Sequence, residues 1–337
     1  MNKNLVEVKN LRTYFYTASG ISKAVDGVSF EVEQGETLGI VGESGCGKSV
    51  MSASLMRLLA SKAGKIVDGT VHFDGIDVLA LDKRQLREFR GKDVAMIFQD
   101  PMTTLDPVFK IGYQMVEAIL AHRDVTKEEA RQISIEALKK VGIPDPEKRF
   151  DSYPFELSGG MCQRVAIAMV LCGQPKLIIA DEPTTALDVT MQAQILSLMK
   201  KLQKEYNTSI MMITHNLGVV WEMCDNVMVM YAGRVVERAS VKELYAHPMH
   251  PYTWGLMDSM PALNDTPKEP MATIEGTPPD LRLVGKGCNF CDRCKYAIPA
   301  CAETVPEEVD LGNGHYVSCI RQTGNAVLER ERGKRHV

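Results

Sequence analysis

The sequence predicts an α/β fold with a mainly parallel sheet and helices on both of its faces. Two observations carry this prediction. After Pro175, short apolar segments alternate with segments of helical periodicity, as expected for strands that are buried on both faces. Earlier in the chain, an apolar segment at 38–41 leads directly into a glycine-rich turn, and a helical pattern follows that turn.

The individual elements follow from local periodicity. Alternation of apolar and β-branched residues predicts strands at 5–16, 28–41, 71–73, 94–98, 177–180, 209–214 and 227–231. Helical spacing predicts helices at 48–60, over most of 103–172, at 189–206 and at 217–224. Thr126 and Glu129 form a capping box at the start of one of these helices. Closely spaced prolines predict a winding connector over 248–285.

Composition and charge exclude several classes of protein. The chain has 337 residues, with 39 Lys and Arg against 43 Asp and Glu, and its net charge is −4 at pH 7. That balance lacks the basic surplus that holds a protein on nucleic acid by charge. No apolar run approaches the ~18–20 residues of a membrane-spanning helix, and the N-terminus has no apolar signal-peptide region. The sequence therefore predicts a cytoplasmic protein that reaches a membrane only through a partner.

The turn between the strand at 38–41 and the following helix fits the phosphate-loop pattern. It reads Gly42-Glu-Ser-Gly-Cys-Gly47-Lys48-Ser49, and its glycines allow a tight loop whose backbone amides face phosphate oxygens. Lys48 supplies a cation to the outer phosphates, and the Ser49 hydroxyl can ligate Mg²⁺. The helix N-terminus adds partial positive charge. The candidate nucleotide-binding residues here are Gly42, Ser44, Gly45, Cys46, Gly47, Lys48, Ser49 and Val50.

Two acidic residues follow the apolar strand at 177–180. Asp181 and Glu182 come at the carboxyl end of this strand, which is where ligands collect in parallel sheets. Asp181 can hold Mg²⁺ or its water, and Glu182 can orient or deprotonate an attacking water. Because this pair lies about 130 residues after a phosphate loop, it indicates catalytic carboxylates at the edge of the sheet where the parallel strands end. We call this edge the catalytic carboxylate edge.

The segment Leu157-Ser158-Gly159-Gly160-Met161-Cys162-Gln163-Arg164 resembles the LSGGQ-type signature of ABC ATPases, with Met161 where that family more often has Gln. The resemblance implies an ABC-type P-loop ATPase: a RecA-like core, an antiparallel β subdomain and an α-helical subdomain at about 103–172. In this family the signature binds the partner's nucleotide, which implies a dimer with ATP between two ATPase domains. The signature residues carried over are Ser158, Gly159, Gly160 and Gln163.

The remaining family motifs occur in the family's order. Gln99 resembles the Q-loop glutamine, which contacts the metal and the water, and Asp188 resembles the D-loop aspartate. His215 resembles the switch histidine that contacts the γ-phosphate, and Phe15 lies where the adenine-stacking aromatic is expected. The resemblance thus implies catalytic roles for Glu182, His215, Gln99 and Lys48, and Mg²⁺ contacts for Ser49, Gln99 and Asp181.

Longer segments resemble the ATPases of oligopeptide and dipeptide importers. They include 24–30, 35–45, 98–107, 180–189 and 247–253. Two positions depart from the subgroup pattern, Cys46 in the phosphate loop and Asn216 after the switch histidine. The subgroup also contains nickel and some sugar importers, so a nickel or other small-solute importer is the alternative. A soluble ABC ATPase acting on nucleic acid or ribosomes is a weaker alternative, because the chain has a single signature and no heptad array.

The five cysteines near the C-terminus resemble the iron–sulfur motif of the same subgroup. The matched ligands are Cys288, Cys294, Cys301 and Cys319, and Cys291 is an additional thiol that could replace one of them. Four thiolates suit a [4Fe–4S] cluster, which is the favoured interpretation, and they also suit Zn²⁺; simple thiols without a metal are a further alternative. A redox-sensing role for these thiols, added to the ATPase, also stays open.

The resemblance further implies the organisation of the molecule and its partners. Residues 1–247 form the ABC ATPase domain, and 248–337 form a C-terminal extension that carries the cysteine cluster at 288–319. The expected partners are a second ATPase subunit, forming a heterodimer, two transmembrane permease subunits and an extracytoplasmic peptide-binding protein, with no nucleic acid. The expected location is peripheral, at the cytoplasmic face of the cell membrane.

Overall fold

A computed structural model describes residues 4–59, 62–185, 187–259, 273–323, 328 and 330. The strands are β1 (Asn4–Thr17), β2 (Gly20–Glu33), β3 (Thr37–Val41), β4 (Gly64–Phe73), β5 (Ile76–Asp77), β6 (Val94–Ile97), β7 (Leu177–Asp181), β8 (Ser209–Thr214), β9 (Asn226–Tyr231), β10 (Arg234–Ser240), β11 (Val309–Asp310) and β12 (Tyr316–Val317). The helices are α1 (Lys48–Leu55), α2 (Lys83–Lys92), α3 (Pro101–Thr104), α4 (Ile111–Leu120), α5 (Lys127–Lys140), α6 (Pro146–Phe150), α7 (Gly159–Cys172), α8 (Val189–Tyr206), α9 (Leu217–Met223), α10 (Val241–Ala246), α11 (Pro251–Asp258) and α12 (Pro299–Glu303). Among the described residues, no helix is both long enough and apolar enough to cross a membrane.

The chain divides into two compact units, each interleaved in sequence. The first comprises Met1–Val6, Val32–Thr37 and Phe73–Ile213, and the second comprises Glu7–Glu31, Leu38–His72 and Thr214–Val337. We describe each unit by itself, over its described residues.

The first unit contains a parallel sheet and a group of helices. Strands β6, β7 and β8 are parallel, with Ile97 opposite Ala180 and Asp181 opposite Ile213. Helix α5 packs against α4, α6 and α7. The capping box predicted at the start of α5 is confirmed, because the Thr126 amide donates to the Glu129 carboxylate at 2.7 Å and the Glu129 amide donates to the Thr126 hydroxyl at 3.2 Å.

The second unit combines a parallel pair with antiparallel strands. Strand β3 is parallel to β9, β10 is antiparallel to β9, and β12 continues this sheet between β10 and β11. A separate sheet places its strands in the order β2, β1, β4. The core around β9 and β10 includes Tyr231, Tyr252 and Phe290, and therefore draws in residues from the segment that carries the C-terminal cysteines.

Four element predictions are wrong in part, and the first is the strand predicted at 71–73, because β4 already begins at Gly64. The strand predicted at 28–41 is two strands, because Gly35 adopts a φ of 78° and forms a turn between β2 and β3. The helix predicted at 48–60 ends as α1 at Leu55, shortly before Arg57 with a φ of 52°; Ala60 lies outside the described residues. The predicted connector 248–285 contains α11, because Pro251 occupies the first helical turn, where a missing N–H costs nothing.

Candidate nucleotide site

The predicted phosphate loop lies between β3 and α1 in the second unit. Gly45 and Gly47 adopt φ angles of 78° and 106°, which L side chains rarely adopt. A Cβ atom added at Gly47 would lie 2.1 Å from the carbonyl oxygen of Ala24, whereas one at Gly45 would meet no atom within 4 Å. The loop therefore needs glycine at 47 for both space and conformation, and at 45 for conformation alone.

Lys48 is the first residue of α1, and its side chain is buried within the loop. Its ammonium donates to the carbonyl oxygens of Gly42 and Glu43 at 2.7 and 3.0 Å, and lies 3.8 Å from the Cys46 sulfur. Burial raises the pKa of the Cys46 thiol, although the charge of Lys48 opposes this shift. Ser44, Gly45 and Ser49 are exposed, and Val50 is half-buried.

The predicted catalytic carboxylate edge lies in the first unit, at the carboxyl ends of the parallel strands β6 and β7. The Gln99 amide donates to the Glu182 carboxylate at 3.2 Å, and the Thr185 hydroxyl donates to the same oxygen at 2.9 Å. Glu182 adopts a left-handed φ of 48°, and its amide donates to the Ile213 carbonyl at 2.9 Å. Strained backbone of this kind recurs at functional sites. The sequence motifs did not indicate Thr185 as a partner of Glu182.

The signature segment and the D-loop also lie in the first unit. Ser158 caps α7 by accepting from the Met161 amide at 3.3 Å, and both Ser158 and Gly159 are exposed. Gly160 packs against α8, where an added Cβ would lie 2.3 Å from the Met191 methyl carbon. Asp188 is exposed and caps α8 by accepting from the Met191 amide at 2.9 Å. The exposed residues thus leave amide and hydroxyl groups at the surface.

Gln163 has a different environment from the exposed signature residues. It is fully buried on α7, and neither its Nε2 nor its Oε1 has a hydrogen-bond partner among the described residues. Contact between Gln163 and a nucleotide stays a prediction.

The last two predicted residues lie in the second unit. His215 is exposed directly after β8, and the next residue, Asn216, caps α9 by accepting from the Gly218 amide at 2.8 Å. Phe15 is half-buried on β1. Its ring lies so close to Gly64 that a Cβ atom there would approach within 2.8 Å.

Glu43 connects the phosphate loop to the C-terminal cysteine segment, which we define as residues 287–322. The Arg293 guanidinium donates to both Glu43 carboxylate oxygens, at 2.6 and 3.0 Å, and the Glu43 amide donates to the buried Tyr252 hydroxyl at 2.8 Å. This pair raises the pKa of Arg293. No sequence motif indicated the contact, since the two residues are 250 positions apart.

The five C-terminal cysteines surround one small cavity. Cys288, Cys291, Cys294, Cys301 and Cys319 all line it, together with His250. Burial raises the pKa of Cys288 to about 12 and that of Cys294 to about 11, and the neighbouring thiols add to both shifts. No group of three or more His, Cys, Asp or Glu side chains in the described part of the chain is arranged to hold a metal ion.

His250 is a member of this cavity that the sequence reasoning missed. It is buried, and its Nδ1 accepts from the Tyr252 amide at 3.0 Å, so a neutral ring carries its proton on Nε2. Burial lowers the pKa of His250 to about 4, although the charge of Glu237 opposes this shift. Its Nε2 has no hydrogen-bond partner among the described residues.

Two protein families match this chain. The family described as "ABC transporter" matches residues 25–185, and the one described as "Oligopeptide/dipeptide transporter, C-terminal region" matches residues 236–301.

Individual proteins match over nearly the whole chain. The chain is 50% identical over 313 residues to the oligopeptide transport ATP-binding protein OppD of Bacillus subtilis, covering 93% of this chain and 87% of that protein. It is 46% identical over 324 residues to the dipeptide transport ATP-binding protein DppD of the same organism, covering 96% of each.

A solved structure is similar to the larger part of the chain. This ATP-binding cassette, a dimer in a post-hydrolysis state with ADP and Pi, has a TM-score of 0.63 at 29% identity, covering 70% of this chain and 98% of that one.

Proposed function

The chain belongs to the ATP-binding subunits of ABC transporters, in the oligopeptide/dipeptide family, and we propose that it hydrolyses ATP to power the import of di- and oligopeptides. It is an ABC-type ATPase that uses ATP and Mg²⁺ and works with transmembrane permeases. The observation that carries the substrate class is the match of 236–301 to a region described for oligopeptide/dipeptide transporters. A nickel importer of the same family is the alternative.

Each half of the site has a proposed task. Lys48 and the amides of the phosphate loop bind the phosphates of ATP, and Phe15 stacks on the adenine. Ser49, Asp181 and Gln99 hold Mg²⁺. Glu182, which Gln99 and Thr185 orient through hydrogen bonds, accepts a proton from the attacking water. His215 contacts the γ-phosphate.

The exposed signature residues support a dimer with ATP between two subunits. Ser158, Gly159 and Asp188 present hydroxyl, amide and carboxylate groups at the surface, where a second subunit's nucleotide could contact them. Gly160 and Gln163 belong to the same proposed contact. We propose that the second ATPase is a different polypeptide and that an extracytoplasmic peptide-binding protein delivers the substrate. We also propose a peripheral position at the cytoplasmic face of the membrane, with 1–247 as the ATPase domain and 248–337 as the extension.

Peptide uptake tests this function. The uptake of labelled di- and oligopeptides is measured in cells that carry either the wild-type protein or Lys48→Ala, and Ni²⁺ uptake is measured in parallel. Loss of peptide uptake alone in Lys48→Ala supports the peptide importer, and loss of nickel uptake alone supports the alternative. Glu182→Gln separates hydrolysis from binding: this variant should still bind ATP, but its rate of ATP hydrolysis should fall by about 10²-fold or more. Normal turnover in Glu182→Gln would remove Glu182 from the proposed mechanism.

We also propose that the C-terminal thiols hold a [4Fe–4S] cluster, with zinc as the alternative. Although no metal-holding group is arranged among the described residues, two observations support the proposal: five thiols line one cavity, and His250, whose Nε2 has no hydrogen-bond partner among the described residues, lines the same cavity. The proposed ligands are Cys288, Cys294, Cys301 and Cys319. The bound cluster would cross-link the cysteine segment, which has little secondary structure of its own.

Metal analysis tests this cofactor. Protein purified without oxygen should contain iron and sulfide, and Cys319→Ser should lose both. Cys291→Ser is the matched control that should retain both. Zinc without sulfide would support the alternative, and the absence of every metal would refute both.

A further inference from the structure

Arg293 is the most completely hydrogen-bonded side chain of the cysteine segment. Its Nε donates to the Glu275 carbonyl at 2.9 Å, and its Nη2 donates to the Ile274 carbonyl at 3.2 Å and to Glu43 at 3.0 Å. Its Nη1 donates to Glu43 at 2.6 Å and to the Tyr231 hydroxyl at 3.2 Å. These contacts use all five donors of a guanidinium, which holds the side chain in one orientation.

Glu43 is held on three sides. Arg293 binds the Glu43 carboxylate, the Tyr252 hydroxyl accepts a hydrogen bond from the Glu43 amide, and Lys48 donates to the Glu43 carbonyl oxygen. The side chain of Arg293 is 6% exposed and that of Glu43 is 27% exposed, so water screens this ion pair only weakly. The conformation of the phosphate loop at Glu43 therefore depends on residues far along the chain.

The cysteine segment sets the position of Arg293. The residue lies between Cys291 and Cys294, in a turn where its amide donates to the Phe290 carbonyl at 3.1 Å. The Phe290 ring packs against the rings of Tyr231 and Tyr252, with centroids 5.1 and 5.4 Å apart. A movement of this turn would therefore move the guanidinium and the Tyr252 hydroxyl together.

From these contacts we infer that Arg293 is a positioning residue for ATP: through Glu43 it holds the phosphate loop in its nucleotide-binding shape. The inference rests on the proposed ATP site. The cysteine segment thereby becomes part of that site, and the packing of the segment sets the affinity for ATP. Arg293 touches no reacting atom, so its effect falls on ATP binding more than on the hydrolytic step.

Steady-state ATPase kinetics and equilibrium ATP binding test the inference. Arg293→Leu should raise KM and Kd for ATP about fivefold or more, with kcat changed less than about twofold. Arg293→Lys keeps the charge but loses the planar fork, so it should restore ATP binding only in part. Arg238→Leu is the matched control, because it breaks the ion pair with Glu308 at 2.8 Å in the same unit, and among the described residues Arg238 makes no hydrogen bond or ion pair with the phosphate loop.

A double-mutant cycle with Glu43→Gln separates positioning from general destabilisation. The two substitutions should not be additive in KM, since each breaks the same contact. Should Arg293→Leu fail to fold, Glu43→Gln alone should still raise KM.

Three results would overturn the inference: an unchanged KM in folded Arg293→Leu, an equal rise in Arg238→Leu, or additivity in the cycle. Wild-type protein that neither binds nor hydrolyses ATP would instead refute the proposed function.

Discussion

The phosphate loop and the cysteine segment lie in the same unit, but they are organised by different parts of the chain. In the loop, neighbouring residues act through their backbone, and Gly45 and Gly47 provide the conformations that this requires. In the cysteine segment, side chains far apart in sequence make the structure: Arg293 reaches Glu43, and His315 reaches Glu237. A local pattern therefore identifies the loop but not the contact of Glu43 with Arg293, and in the cysteine segment it identifies only the thiols.

Glu237 shows how much one buried side chain contributes to the second region. It is 1% exposed, and it accepts from the amides of Met249 and His250 at 2.6 and 2.9 Å and from the His315 ring at 2.8 Å. Glu237→Ala should destabilise the protein by about 3–5 kcal/mol, because three donors, two of them buried, lose their acceptor. Chemical denaturation measures this loss.

Glu308→Ala is the matched control for Glu237→Ala. Glu308 pairs with Arg238 where both side chains are about one-third exposed, at 36% and 32%. Loss of this ion pair should lower the free energy of unfolding by less than about 1 kcal/mol. Equal losses in the two variants would mean that the donors around Glu237 find other partners.

Two glycines of the phosphate loop test how strongly ATP binding depends on the backbone conformation of the loop. Gly47→Ala should weaken ATP binding by about tenfold or more, because the new Cβ meets the Ala24 carbonyl and the φ of 106° is strained. Gly45→Ala carries only the strain of its φ of 78° and should bind ATP more tightly than Gly47→Ala. Isothermal titration with ATP compares them, and equal affinities would show that space at Gly47 does not matter.

The sequence predicted those parts of the fold that depend on short-range patterns. Helix α8 and strand β8 have the predicted bounds, and Thr126 caps α5 as expected. The predicted strand 28–41 failed because a single glycine turn divides two apolar runs, which periodicity does not resolve. Helix α11 was missed because its proline was taken as a helix breaker, although proline is favourable in a first turn.

The candidate site shows the same limit. The motifs identified Gln99 and Glu182 separately, and the hydrogen bond between them is consistent with the rule that functional side chains collect where parallel strands end. Thr185, Tyr252, His250 and Arg293 were not foreseen, because nothing in their local sequence states which distant group they contact. Such contacts depend on tertiary packing alone.

Removal of the proposed cluster tests whether the cysteine segment affects the phosphate loop. Depletion of iron should loosen the turn that carries Arg293, and it should therefore raise the KM for ATP about fivefold in wild-type protein. The same depletion should leave the KM of Arg293→Leu unchanged, since that variant has already lost the contact. Steady-state ATPase assays on iron-loaded and iron-depleted protein measure both effects, and an equal rise in the two proteins would contradict the coupling.

The smallest expected effect is the pH dependence that His315 gives to the second region. Burial acts to lower its pKa, but the hydrogen bond to Glu237, together with the nearby Glu243 carboxylate, outweighs burial and raises the pKa. The protonated ring then stabilises the fold fully below the unfolded-state pKa of about 6.5, and this contribution is lost as pH rises through the higher folded-state pKa. Melting temperatures across this window should fall less steeply in His315→Asn than in wild-type protein. Equal slopes in the two proteins would show that the His315–Glu237 pair does not titrate in this range.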